Sequence, residues 1–249
     1  MVGLKVNENG VLKMRKLLIS TMCLIPVITF AGSEPTASPF PGAKNGINIW
    51  SIEKINASMN KEMKLKSYKT LDIKEYNETN TTDESVNSLL QIPNIAAKET
   101  RQYDYDPNLL DTHLRSSISK IRLSFKFSGI PGIARENVLG FAAGGGYTHE
   151  KGWDGVIEFV RIPNLGICSF STYSIVKVIV PKENIQYLVN NKISDKEIAG
   201  NKMTGFLYRV EWFTDTRNYS FECANKKLKK ENLKEMVKIS NQIDRSLGL

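Results

Sequence analysis

Read by the spacing of its apolar positions, the chain has an amino-terminal apolar run, a polar stretch, a zone of period-two alternation and a closing stripe of period three to four. The stripe is the sharpest of these. Leu233, Met236, Val237, Ser240, Ile243 and Leu247 fall on one side of a helix drawn over residues 229–247. A helix of that length is marginal in water by itself, so the stripe must pack on another element. The nearest candidate precedes it. Phe206, Tyr208, Val210 and Trp212 share one side of a strand within 203–213, and Tyr219, Phe221 and Cys223 share one side of the next, with a turn of hairpin length at 214–218 between them.

Further upstream, Ile121, Leu123, Phe125 and Phe127 alternate with Arg122, Ser124 and Lys126, which predicts a strand with one wet face. Ile130-Pro131-Gly132 predicts a turn, 142–146 a flexible glycine hinge, and 155–160 a second strand. The run 167–180 is rich in β-branched residues and stops at Pro181, so it reads as a central strand apolar on both faces. Residues 183–190 read as a short helix. In the amino-terminal half, Ile52, Ile55, Met59 and Met63 predict one modest helix within 47–63. Residues 77–87 hold a single apolar side chain and predict a mobile loop.

The resulting organisation is a signal peptide at 1–31, a flexible spacer rich in Pro, Ser and Ala at 32–46, and a partly disordered amino-terminal region with a short helix at 47–106. Residues 107–249 form the folded part. Strands clustered together, with the strongest helix at the end, predict an α+β fold, mainly antiparallel sheet packed by a C-terminal amphipathic helix.

The compartment follows from the beginning of the chain. Met14-Arg15-Lys16 precedes an apolar run over 17–30, and the small residues Ala31, Gly32 and Ser33 come next. That order of basic, apolar and small segments is a secretory signal peptide with a cut expected after Ala31. The run is shorter than the roughly 20 apolar residues of a spanning helix. The alternative is an uncleaved amino-terminal anchor. Cys23 follows Met22, where lipoprotein processing needs a small side chain, so lipidation is not expected. Loss of the signal leaves two cysteines, Cys168 and Cys223, in a chain bound for an oxidising space. The expected bridge closes a loop worth on the order of 4 kcal/mol on the chain-entropy account; the alternative is two buried free thiols. The bridge would also bring Phe170 and Thr172 onto the face of Phe221 and Tyr219.

Composition adds limits. With 41% hydrophobic and 24% charged residues, collagen, coiled coil and a wholly disordered chain are excluded. Four of the 34 basic and one of the 26 acidic residues leave with the signal, so the net charge falls from +8 to +5. That favours anionic partners without making a nucleic-acid binder.

Candidate chemistry is sparse. Only His113 and His149 are available for imidazole chemistry. His149 lies in a glycine-rich segment with Glu150, Trp153 and Asp154, where a carboxylate could orient the imidazole and the indole could stack on a ligand. The alternative to a site is a solvated connection between strands. The triple glycine lacks the lysine and hydroxyl of a phosphate loop and the spacing of a dinucleotide fingerprint. A Cys168–His149 dyad competes with the disulfide for its cysteine. The chain has no G-x-S-x-G, H-E-x-x-H or C-x-x-C. Lys226, Lys227, Lys229, Lys230, Lys234 and Lys238 cluster at the start and along the polar side of the last helix. They form either a solvated face or an anion-attracting patch. Sequons stand at Asn56, Asn77, Asn80 and Asn218. The expectation is an exported, non-catalytic binding or interaction module of the cell envelope or extracellular space. No cofactor or metal is expected, and the partner is an envelope protein or an anionic surface. The alternatives are an exported hydrolase around His149 and attachment to anionic surfaces through the basic helix.

Overall fold

The computed structural model describes residues 25–26, 44–51, 53–54, 80–104, 112–175, 177–182 and 185–248. Within them the fold is α+β. Its centre is a seven-stranded antiparallel sheet in the order β3-β4-β5-β10-β9-β8-β7. The strands are β3 (Val138–Thr148), β4 (Gly152–Ile162), β5 (Gly166–Ser174), β7 (Gln186–Val189), β8 (Lys192–Asn201), β9 (Gly205–Phe213) and β10 (Arg217–Asn225). A smaller sheet places β6 (Lys177–Pro181) between β2 (Gly46–Trp50), which runs parallel to it, and the two-residue β1 (Ile25–Pro26). Helix α1 (Asn80–Tyr103) and helix α2 (Glu231–Ser246) pack on opposite faces of the large sheet.

The face toward α2 carries the main core. Cys223 stands directly opposite Cys168 across β10 and β5, Phe221 opposite Phe170 and Tyr219 opposite Thr172. Phe170 and Thr172 thus share the face of Phe221 and Tyr219, as the alternation and the cysteine pair together imply. The two cysteines are bonded and fully buried. Neither should react with a thiol-alkylating reagent in the unfolded, unreduced protein, whereas both should react once reductant is added; full labelling without reductant would exclude the bond. Phe127, Phe170, Trp212 and Tyr219 stack in sequence across this face. Met236, Ser240 and Ile243 of α2 are buried against it, with Leu233, Val237 and Leu247 packed at the margin.

Asp244 fastens the far end of α2. It accepts from Lys192 Nζ at 2.6 Å, Asn190 Nδ2 at 2.8 Å and Trp212 Nε1 at 3.1 Å. Asn190 and Asn191 both have positive φ and form the two-residue turn that joins β7 to β8. The helix therefore grips the outermost hairpin as well as the core.

Several elements differ from the sequence expectation. Residues 77–87 were expected to be a loop, yet α1 begins at Asn80. Its first turns are polar, but Val86, Leu89, Ile92 and Ala96 recur at helical spacing and are buried. Tertiary burial of that stripe outweighs the poor local propensity. Residues 47–50 of the helix expected over 47–63 lie in β2, Glu53 and Lys54 are helical, and Ile52, Ile55, Met59 and Met63 lie outside the described residues. Residues 121–127 form no strand; they bend at Ser124 and Phe125 and meet the large sheet through the single bridge of Leu123 with Trp153. Their apolar side chains pack on the sheet, and their backbone meets β4 only through Ser124 N–H to Trp153 O and Trp153 N–H to Arg122 O. The alternation marked a half-buried segment, not a ladder. The run 167–180 divides into β5 and β6, which belong to different sheets, and the helix expected over 183–190 is replaced by β7.

The glycine hinge is likewise part of a strand. Residues 142–146 lie in β3, with a register shift between Gly144 and Tyr147. Gly145 has φ +74°, and a Cβ there would run into the Asp154 carboxylate.

Candidate functional site

The face of the large sheet toward α1 has an unusual centre. At one end, Leu207, Ala224 and Phe159 meet Val86, Leu89 and Ile92 of α1. At the other, Phe213 packs with Val178, Val180 and Ile47 of the small sheet. Between these apolar clusters lies a polar belt that register alone sets out. Glu197, Arg209, Glu222 and Ser169 are cross-strand neighbours on β8, β9, β10 and β5. Asp195, Glu211, Ser220 and Ser171 form the next row on the same strands.

Arg209 is the hub of the belt. Its Nη1 lies 2.6 Å from Glu197 Oε1, and its Nε pairs with Glu222 Oε1. It is 8% exposed, and the adjacent carboxylates hold the guanidinium above its ordinary range against the opposing effect of burial. Glu211 accepts from Asn218 Nδ2 at 2.7 Å, and burial pushes its carboxyl up to about 7, with Arg209 pulling the other way. Burial likewise raises Asp195 and Glu197. Burial also raises the Tyr173 phenol, opposite Asn218. The belt thus sets four carboxyl groups around one guanidinium, and Glu211 can hold or release a proton near neutrality. Chemically it can bind a cationic or hydroxyl-bearing group and exchange a proton with it. The sequence reading missed it, because Arg209, Glu211 and Glu222 alternate with core residues and read as a wet face. The Asn218 sequon side chain is part of this belt.

A separate buried carboxyl lies on the opposite face. Glu158 stands between its cross-strand partners Phe141 and Phe170 and is 4% exposed. Its Oε2 accepts from the Ile130 N–H at 2.8 Å. Gly129 makes that approach feasible: its φ is +68°, and a Cβ there would lie 2.9 Å from Oε2. Burial pushes the carboxyl up to about 7, partly offset by the Ile130 N–H. The folded state therefore binds more protons at this group than the unfolded state between about pH 4.5 and 7. Its contribution to stability declines as pH rises through that window and is flat above it. Glu158→Gln should remove this decline and raise stability at pH 8 by about 3 kcal/mol. Denaturant titrations of both proteins at pH 5 and pH 8 would measure it, and a parallel pH dependence in the variant would refute the assignment.

The residues singled out in the sequence lie apart from the belt. His149 and Glu150 are exposed in the β3–β4 turn. The His149 ring meets Tyr147 edge-on at 5.6 Å, and Trp153 meets the other side of the local cluster through Tyr147 at 5.3 Å. Asp154 Oδ1 accepts from Gly146 N–H at 2.6 Å, so this carboxylate is committed to the bulge and not to the imidazole. The Glu150 carbonyl accepts from Arg122. His113 is elsewhere, paired with Glu99 at 3.2 Å and stacked on Tyr103 at 3.9 Å. Lys226, Lys227, Lys229, Lys230, Lys234 and Lys238 are all exposed. Among the described residues no group of three or more His, Cys, Asp or Glu is placed to hold a metal ion, and no helix is long and apolar enough to cross a membrane.

Comparison of the chain with protein-family models, with curated proteins and with solved structures gives no match in any of the three.

Proposed function

We propose that the protein is an exported binding or interaction module of the cell envelope or extracellular space, acting without catalysis. The observation that carries export is the buried Cys168–Cys223 bond between directly opposed residues of adjacent strands. Such a bond forms and persists in an oxidising compartment and is rare where thiols are kept reduced. The basic, apolar and small segments at the start of the chain supply the route there.

Support for binding comes from the polar belt. A buried ionic network contributes little net stability compared with apolar residues of similar volume. The carboxyl groups around Arg209 are accordingly read as groups that recognise a ligand. The non-catalytic reading is supported by the turn at His149, where the imidazole is exposed and the Asp154 carboxylate is engaged by Gly146.

Intact-mass measurement of the protein recovered from its native compartment tests the export reading. A mass beginning near Gly32, with both thiols oxidised, is the expected result. A mass that retains residues 17–30 would replace it with the membrane-anchored alternative.

A further inference from the structure

Three connections leave the large sheet at one end: the β4–β5 turn at 163–165, the β8–β9 turn at 202–204 and the linker 226–230 between β10 and α2. They are held together there. Asn225 donates from Nδ2 to the carbonyls of Asn164 at 3.4 Å and Leu165 at 3.3 Å. A Cβ on Gly205, where β9 begins, would lie 3.5 Å from the Cα of Lys226. Asn201 accepts from the Met203 and Thr204 N–H groups through Oδ1, which shapes the β8–β9 turn. Tyr208 fixes the linker from beneath. Its hydroxyl donates to Lys227 O at 3.2 Å and accepts from Lys229 N–H at 2.7 Å, so Leu228 is held at the apex between them.

Two of the four exposed large apolar side chains among the described residues belong to this end, the others being Ile49 and Tyr187. Met203 is 89% exposed and Leu228 is 40% exposed, each at the tip of a backbone that hydrogen bonds hold in place. Lys202, Lys226, Lys227, Lys229 and Lys230 surround them and are exposed. Of the acids nearby, Asp83 accepts from Asn201 Nδ2 at 2.9 Å and Thr204 Oγ1 at 2.6 Å and keeps its charge, so the three carboxylates Asp83, Glu84 and Glu231 stand against five lysines. A soluble polyanion would use the lysines and offer nothing apolar to Met203 and Leu228. A lipid bilayer uses both, since apolar tips enter the headgroup and acyl boundary while lysine stems reach back to the phosphates.

We propose that this end of the sheet docks on an anionic phospholipid bilayer, with Met203 and Leu228 inserted and the five lysines over the headgroups. The inference goes beyond the export reading and does not depend on it. It also moves the anion-attracting surface from the face of α2 to the loops at the sheet's end.

The test is sedimentation of the purified full-length, oxidised chain with vesicles of phosphatidylcholine alone or of phosphatidylcholine mixed with phosphatidylglycerol. Because Lys5, Lys13, Arg15, Lys16 and the apolar run at 17–30 can themselves bind an anionic bilayer, the comparison between variants that all carry this segment decides the test. The wild type should bind the mixed vesicles more tightly, and the difference should collapse near 1 M salt, where the Debye length is about 3 Å. Lys226→Gln, Lys227→Gln, Lys229→Gln and Lys230→Gln together should weaken binding to mixed vesicles by at least about tenfold. Met203→Ser with Leu228→Ser should weaken it about fivefold. Lys238→Gln with Arg245→Gln, on the exposed side of α2, should change it by less than about twofold. All of these side chains are exposed, so an unchanged thermal midpoint is expected and serves as the folding control. Three results would overturn the proposal: no preference for the mixed vesicles, sensitivity to the lysines but not to Met203 and Leu228, or an equal loss from the α2 substitutions. The second would indicate a polyanion as partner, and the third the helix face.

Discussion

Ile243→Asp is expected to leave the protein without a cooperative unfolding transition. Ile243 is fully buried at the centre of the α2 stripe, in the cluster that also holds Trp212, Tyr219, Phe221 and the disulfide. The substitution deletes that packing and places a carboxylate where no partner cation is in position, beside the acid Asp244, which is already committed to Lys192, Asn190 and Trp212. Loss of a core aliphatic side chain costs about 2–5 kcal/mol, and burial of an unpaired charge adds several more. The sum approaches the 5–15 kcal/mol that stabilises an ordinary domain. Lys234→Ala, on the exposed side of the same helix, should shift stability by no more than about 0.5 kcal/mol. Circular dichroism during thermal or denaturant unfolding separates the two outcomes, and a sigmoidal transition for Ile243→Asp near the wild-type midpoint would show that α2 is an appendage.

Arg209→Leu is expected to cost about 3–5 kcal/mol at neutral pH, the range for removing one partner from a buried ionic network. Glu197 and Glu222 lose their counter-charge, and Asp195 and Glu211 lose the nearby cation that lowers their carboxyl values. The folded-state values of these acids then rise further, so the folded state binds still more protons relative to the unfolded chain. Stability consequently falls more steeply with rising pH than in the wild type, and acidification toward pH 5 should recover much of the loss. Chemical denaturation at several pH values measures this. A loss that is independent of pH would mean that Arg209 acts through packing of its stem and not through its charge. Replacing Glu197 and Glu222 with Leu in the Arg209→Leu background should recover part of the loss, because it removes the two carboxylates paired directly with Arg209 and leaves Asp195 and Glu211 without the cation.

The large sheet was legible in the sequence where two signals constrained the same residues. Alternation put Tyr208, Trp212 and Phe221 on one face, the two cysteines brought Phe170 and Thr172 onto that face, and the structure sets Phe170 directly opposite Phe221. The stripe of α2 was legible because its period is incompatible with a strand. Alternation without a partner was ambiguous. Residues 121–127 satisfy the pattern by lying on the sheet, since half-burial of a chain segment does not require a ladder. Short apolar runs such as those of β6 and β7 carry too few residues to distinguish helix from strand. The polar start of α1 was misleading because its stabilisation is tertiary, from Val86 and Leu89 against Leu207 and Ala224. The belt around Arg209 was not legible at all. A polar residue on alternate positions of a strand has the same sequence signature whether its face is open to water or half-buried, and the sequence does not reveal that α1 and the small sheet pack to either side of this belt.

The pairing of β5 with β10 is the seam of the large sheet. Every other ladder in it joins strands that follow one another in the chain, so β3-β4-β5 and β7-β8-β9-β10 can each form by local closure. The seam cannot, because its partners are distant in sequence and their meeting requires the entropy of a long loop to be overcome first. The disulfide lies on this seam, with a sequence separation of 55 between its cysteines. Once that bond exists, β5 and β10 are tethered at the residues that face each other in the native register, and the slow encounter becomes a short search. Oxidised chains should therefore refold faster than reduced ones, and the reduced protein should accumulate as two formed meanders that have not yet joined.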